Sequence, residues 1–275
     1  MIEPLRILWC DEHLVAVYKP AGWLVHRTGL DAGETRFVVQ TLRNQLGGQH
    51  VFPAHRLDKG TCGVLLFARH RATAQTLALA FADHRVKKRY LALVRGWVPE
   101  VVEVNHPLRP DDAGLDAPVQ EAHTQFRRVA RLELPEASDS RFTNTRASLV
   151  EAIPTTGRRH QIRRHLKFLA HPIIGDATHG KGPLNRWWAE RLALQRLWLH
   201  AWSLEFAHPI TGEQLEVRSG MSMEINALAD AHCCADGLGD WNQLVQRREW
   251  IFDGTQWRHS TPTGVIRRAI TLVGN

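Results

Sequence analysis

The sequence predicts an α+β protein with a mixed, mainly antiparallel sheet flanked by helices. Three observations carry that expectation. Apolar runs of strand length are joined by turns too short for parallel crossovers. Two segments carry the single apolar stripe of a packed helix. Strand-like and helix-like stretches also alternate irregularly, without a βαβ rhythm. The chain has 275 residues, 44% of them hydrophobic and 23% charged, which is enough to bury a sizeable core and excludes disorder of the whole chain.

The elements follow in order. Ile7 to Trp9 and Leu14 to Tyr18 are apolar runs separated by the polar turn Cys10-Asp11-Glu12-His13, a hairpin that ends at Pro20-Ala21-Gly22. Gly63 to Ala68 is a continuous apolar run of buried-strand length, followed by a helix whose stripe is Ala74, Leu77, Ala78 and Phe81. Lys87 to Val94 is strand-like, with Tyr90, Ala92 and Val94 on one face. Residues 99–145 hold Pro99, Pro107, Pro110 and Pro118 and few periodic apolar positions, so loops and edge strands are expected there. Ala147 to Ile153 reads as a strand, Pro154 to Gly157 as a turn, and His160 onward as a helix buried through Ile162, Leu166 and Leu169. An amphipathic segment, Leu184 to Leu197, precedes a second hairpin with arms Trp198 to Phe206 and Gln214 to Val217. The pattern weakens beyond about Ala227, which divides the chain into residues 1–226, one catalytic domain, and residues 227–275, a C-terminal extension.

Several function classes lack their anchors. Gly175 to Gly182 has P-loop spacing but offers Gly182 where a hydroxyl must reach magnesium, so a glycine-rich turn is the better reading. No GxSxG, HExxH or GxGxxG pattern occurs, and the sixteen histidines form no helical pair with a nearby acid. No apolar run approaches the roughly 20 residues of a membrane span. The N-terminus carries no signal-peptide pattern, and the four cysteines have no CxxC spacing. A cytoplasmic, monomeric protein with reduced thiols and no cofactor is expected.

Charge is more informative. Lys and Arg exceed Asp and Glu by 35 to 28. Between Arg56 and Arg95 nine bases face two acids, and from Arg158 to Lys167 five bases face none. This is the composition of a phosphate-binding surface. Asp58 is the acid set within it, in His55-Arg56-Leu57-Asp58-Lys59-Gly60-Thr61-Cys62-Gly63. A carboxylate flanked by Arg56 and Lys59 suits a nucleophile better than a general acid.

HRLDKGTCG resembles the HRLD-x-x-T-S-G signature of the RluA-type pseudouridine synthases. Lys88-Arg89-Tyr90 is similar to that family's K-x-Y element, and Gly157 to Arg163, GRRHQIR, to its G-R-x-H-Q-I-R element. The resemblance spans about residues 5–220 and departs at Cys62, where the family has Ser. It implies the pseudouridine synthase fold and an isomerase that breaks a C1'–N1 glycosidic bond, turns the uracil and rejoins it through C5, without a cofactor. By motif position Asp58 would be the nucleophile, attacking the sugar or first removing a sugar proton, and Arg163 its ion-pair partner. Tyr90 would stack on the flipped base and share in the later proton transfer. Arg56 would enter the RNA stack, and Lys87, Lys88, Arg158, Arg159 and Arg164 would bind phosphates. Ala21 to Asp31, His171 to Gly180 and Leu194 to Ala201 look most like members that modify uridine 65 of tRNA. The catalytic pattern also begins at once, without the small N-terminal domain of many ribosomal-RNA members, so tRNA is the expected partner. A non-catalytic RNA-binding module and a retaining glycosidase are the competing readings, and the second needs two carboxylates where the motifs supply one.

Overall fold

The structure, a computed structural model, describes residues 4–27, 33–111, 116–134, 136–191, 195–220, 250–252 and 257–259. Its centre is a ten-stranded sheet built from β1 (Ile7–Cys10), β2 (Leu14–Lys19), β3 (Phe52–Pro53), β4 (Cys62–Ala68), β5 (Lys87–Arg95), β6 (Val101–Asn105), β7 (His123–Leu134), β8 (Thr145–Pro154), β9 (Leu199–Ala207) and β10 (Gln214–Arg218). The order along the sheet is β1-β2-β4-β9-β5-β8-β7-β6, with β3 paired to β4 and β10 to β9. The pairings are antiparallel except β4 with β9, which meet in parallel through Cys62 with His200 and Gly63 with Ala201. The mixed, mainly antiparallel α+β reading therefore holds.

Among the described residues four helices pack on this sheet: α1 (Val38–Gln45), α2 (Arg71–Ala82), α3 (Gln161–Phe168) and α4 (Gly182–Arg191). No helix among the described residues is long and apolar enough to cross a membrane. The expected helix after β4 is α2, but its buried side is Thr73, Leu77 and Ala80, whereas Ala78 and Leu79 face solvent. Ala74 and Phe81 pack partly against the same cluster as Leu77, so Ala78 is the member of the expected stripe that falls outside it. Helix α1 is an addition to the elements expected from periodicity.

The larger correction concerns residues 99–145. They contain β6 and the twelve-residue β7, which lies inside the sheet between β6 and β8. Thr124, Phe126, Ala130, Leu132 and Leu134 of β7 point inward while Arg127, Arg128 and Arg131 stay partly exposed, and a bulge falls between Arg128 and Ala130. A bulge breaks the period of two, which hides such a strand from a search for strict alternation.

The apolar core forms three clusters. One lies between β5, β8, β7 and helices α3 and α4, around Phe126, Leu166 and Trp188. A second holds α1 against β2 and β4, and a third holds α2 against the opposite face of β4. Tyr90 packs partly against the first two, so it stands at the seam between the halves of the sheet. Residues 227–275 lie outside the described residues except for β11 (Trp250–Phe252) and β12 (Trp257–His259), an antiparallel pair.

Candidate active site

The loop from Ala54 to Thr61 carries Asp58 and is fastened on several sides. The Lys19 ammonium, fully buried at the end of β2, donates to the carbonyls of Thr61 (2.6 Å), Lys59 (3.1 Å) and Pro20 (3.1 Å). Burial pulls the Lys19 pKa down to about 7. The Gly22 amide donates to the Lys59 carbonyl at 2.8 Å, and the Thr61 amide to the Asp58 carbonyl at 3.0 Å. At the other end of the loop the Leu66 amide donates to His55 Nε2 at 3.2 Å. Burial first, and then the Lys88 charge, lower the His55 pKa to about 4, so its ring is neutral and can accept that bond.

Arg163 comes from the first turn of α3 and is 7% exposed. Its Nη1 donates to Asp58 Oδ2 at 2.9 Å. The rest of the guanidinium is held by Asp176, with Nε on Oδ2 at 2.8 Å and Nη2 on Oδ1 at 2.9 Å. The expected Arg163–Asp58 pair thus exists, but the two-point grip belongs to Asp176. Burial opposes charge on both groups; their mutual pairing outweighs it, raising the Arg163 pKa and lowering that of Asp176. Asp176 also accepts the amides of Thr178 and His179, both at 2.9 Å. It follows Gly175, whose φ of +77° and close approach to the Arg196 carbonyl leave no room for a Cβ. The Gly175 to Gly182 segment is therefore a turn, as its failed P-loop pattern suggests, and it delivers a second acid that the motifs do not contain. That acid lies thirteen residues beyond Arg163 with no periodicity to flag it.

His160, the residue before α3, adopts a left-handed conformation (φ 55°) and brings Nε2 to 3.8 Å from Asp58 Oδ2 and Nδ1 to 2.9 Å from Asp111 Oδ2. Both contacts of Asp58, from Arg163 and from His160, therefore fall on Oδ2, and among the described residues Oδ1 has no hydrogen-bond partner. Gln161 fixes the approach to α3: its Oε1 accepts from Thr156 Oγ1 (2.7 Å) and the Arg158 amide (2.9 Å), and its Nε2 donates to the His123 carbonyl (2.9 Å) and Thr124 Oγ1 (3.0 Å). Tyr90 is half-buried on β5. Burial, and then the Asp58 charge, push its phenol above the ordinary range, so the hydroxyl rests protonated.

The flanking bases divide. Lys59 pairs with Glu34 and not with Asp58. Arg56, Lys87 and Arg159 are exposed, with Lys87 on Glu205 at 2.8 Å and Arg159 3.8 Å from Asp111. Arg158 and Arg164 are half-buried and donate to the carbonyls of Glu121 (2.9 Å) and Arg109 (2.7 Å). Lys88 departs most from its expected role: it is 8% exposed and its ammonium donates to the Thr156 carbonyl at 3.0 Å, bracing the turn before α3. Asp111 supplies the acid that the segment from Arg158 to Lys167 lacks, lying within 4.0 Å of Arg159, His160 and Arg164.

A carboxylate with one oxygen restrained and one open, an arginine behind it and an aromatic phenol beside it can attack or deprotonate a sugar under a stacked base. Comparison with known proteins supplies the family. The family model described as RNA pseudouridylate synthase matches residues 13–168. A tRNA pseudouridine synthase C of Vibrio cholerae is 49% identical over 224 residues, covering 79% of this chain and 91% of its own. That of Salmonella typhimurium is 47% identical, covering 79% and 85%. Among solved structures, human RNA pseudouridylate synthase domain containing 1 superposes with a TM-score of 0.67 at 26% identity, covering 90% of this chain and 97% of that one.

Proposed function

Because the chain belongs to the RNA pseudouridylate synthase family and is an isomerase that makes pseudouridine, we propose that it converts a uridine of tRNA, uridine 65, in the cytoplasm as a monomer, with Asp58 as nucleophile. The observation that carries the assignment of Asp58 is its asymmetric environment: Arg163 and His160 approach Oδ2, and Oδ1 is left for substrate. The tRNA assignment draws on relatives whose names specify tRNA and that match this chain along most of their length.

The chemistry is an isomerisation, so no electrons are gained or lost. The C1'–N1 bond breaks, the uracil turns, C5 bonds to C1', and the proton on C5 leaves as N1 gains one. Asp58 Oδ1 either adds to C1' or takes a sugar proton, and Arg163, fixed by Asp176, holds the carboxylate in orientation through either course. The Tyr90 ring stacks on the extruded base. Its hydroxyl starts protonated, so it helps remove the C5 proton only in exchange for its own. The base must leave the helical stack to reach this site, and Arg56, exposed two residues before Asp58, fills the gap.

A retaining glycosidase would use a second carboxylate as an acid. Asp176 is 1% exposed and both its oxygens are engaged by Arg163 and backbone amides, so it is a support and not a reacting group. The test is Asp58→Asn on tRNA and ribosomal RNA together, with pseudouridines mapped and binding measured. Loss of all modification with retained tRNA affinity is expected, since phosphate contacts carry the affinity. Residual turnover above about a thousandth of wild type would remove Asp58 as nucleophile. Modification of ribosomal RNA alone would overturn the substrate.

A further inference from the structure

A second charged cluster lies behind the catalytic loop, and the reaction makes no direct use of it. Cys62, the first residue of β4 and four positions after Asp58, is 0% exposed. Arg196 Nη2 donates to its sulfur at 3.0 Å, His200 Nδ1 lies 3.1 Å away, and the Tyr18 hydroxyl also bonds to it. His200 Nε2 is 2.6 Å from Ser219 Oγ, whose own proton goes to the carbonyl of Trp202 (3.1 Å) or Gly220 (3.2 Å). The serine therefore accepts from Nε2–H. His200 Nδ1 is left either to accept a thiol proton or to donate to a thiolate.

The surrounding charges decide between these. Arg196 is a permanent cation placed on the sulfur. The buried ammonium of Lys19, from β2, holds the carbonyl of Thr61, the residue just before Cys62. Arg6 lies over the Tyr18 ring and donates to the Ser219 carbonyl, which adds positive charge on the far side. Asp58, with its own partner in Arg163, is the carboxylate that acts on Lys19 from the loop. Arg196 and His200 reach the sulfur itself, while Lys19 and Arg6 hold the carbonyls of Thr61 and Ser219 around it.

On that geometry, and resting on the assignment of Asp58 above, we propose that Cys62 is a resident thiolate, ion-paired with Arg196 and His200, and that it is a positioning residue tying β4 to β9 so that the Asp58 loop keeps its place. The serine of the family motif cannot ionise at physiological pH, so it could not supply this device. Burial alone would raise the Cys62 pKa, but the charge and hydrogen bond of His200, with Arg196 and Tyr18, outweigh it and bring the thiol below its ordinary range. An acid whose pKa is depressed by folding contributes stability fully above its unfolded pKa, about 8.5, and loses that contribution as pH falls through the folded value.

The experiment compares wild type with Cys62→Ser by thiolate ultraviolet absorbance and by the pH dependence of turnover on tRNA. Cys10, Cys233 and Cys234 are present in both proteins, so the difference spectrum isolates Cys62. A thiolate band at neutral pH that disappears below neutrality is expected, with wild-type turnover falling several-fold along the same titration and the Ser variant lacking that step. A difference band that emerges only above about pH 8.5 means an ordinary thiol and overturns the proposal. A thiolate band with identical pH profiles in the two proteins overturns the positioning role. If Cys62→Ser does not fold, the absorbance lost by wild type on acidification decides the ionisation state in its place: a loss below neutrality supports the thiolate, and none overturns it. The absorbance needs no substrate, so inactivity of wild type on tRNA would count against the proposed substrate and leave the thiolate standing.

Discussion

Replacing Arg163 by Lys tests the central geometry with a perturbation that keeps the charge. The guanidinium makes three charge-assisted bonds, of 2.8 and 2.9 Å to Asp176 and of 2.9 Å to Asp58, through three nitrogens fixed in one plane. A single ammonium cannot occupy those three positions. Asp176 has a fully buried carboxylate, whereas the Asp58 side chain is 29% exposed. Leaving a buried carboxylate unpaired costs about 3–5 kcal/mol, so the ammonium goes to Asp176 and water takes its place at Asp58. Asp58 then loses one hydrogen bond to a charged donor, typically about 1.5–3 kcal/mol. At about 1.4 kcal/mol per tenfold, single-turnover pseudouridine formation falls about 10- to 150-fold. Stability falls less, by about one hydrogen bond at the Asp176 end. The assay is single turnover on a tRNA transcript with enzyme in excess, run beside urea unfolding. A Lys variant within about threefold of wild type would refute the claim that Nη1 orients Asp58. Arg163→Ala, by contrast, strands Asp176 and loses about 3–5 kcal/mol of stability, so it is the unfolding control and not the kinetic test.

Tyr90→Phe is expected to bind tRNA almost normally and turn over poorly, whereas Tyr90→Ala weakens both; equal turnover defects would leave the hydroxyl without a role. With Lys88 buried, the more exposed bases Arg56, Lys87, Arg158, Arg159 and Arg164 remain for phosphates. The logarithm of the tRNA binding constant should then fall with a slope of about −3.5 to −4.5 against the logarithm of salt, so that a fourfold rise costs about 100- to 500-fold, and a shallow slope measured by filter binding would remove the basic-face argument. Gly175→Ala forces a side chain into a φ of +77° with its Cβ 1.7 Å from the Arg196 carbonyl, so it should lose more than about 2 kcal/mol in urea unfolding; unchanged stability would mean that this turn is not the rigid support of Asp176.

What is legible in the sequence follows from local pattern. The two hairpins, the apolar strand β4 and the amphipathic α3 announce themselves through period and turn residues. Asp58 and Arg163 stand in motifs, and the fold brings them to 2.9 Å across 105 residues of sequence. The rest depends on partners distant in the chain. In sequence Asp176 resembles part of a failed phosphate loop, Asp111 one acid in a proline-rich stretch, and Lys88 one more exposed base. Each has its role only because β7, β8 and α3 converge. Charge counting along a segment cannot see an acid supplied from fifty residues away.

The position of β9 bears on how the protein is made. It is the ninth strand in sequence, yet it sits between β4 and β5 and joins two groups of strands that share no other pairing in the sheet order. A chain emerging from the ribosome can form the β1-β2-β4 ladder and the β5-β8-β7-β6 ladder before Leu199 appears, but each then exposes a raw edge where β9 belongs. Asp58 is attached to the first ladder, and Arg163 follows the second. Their meeting waits for the late strand, so the Asp58–Arg163 pair is expected to form only after β9 has been made and seated.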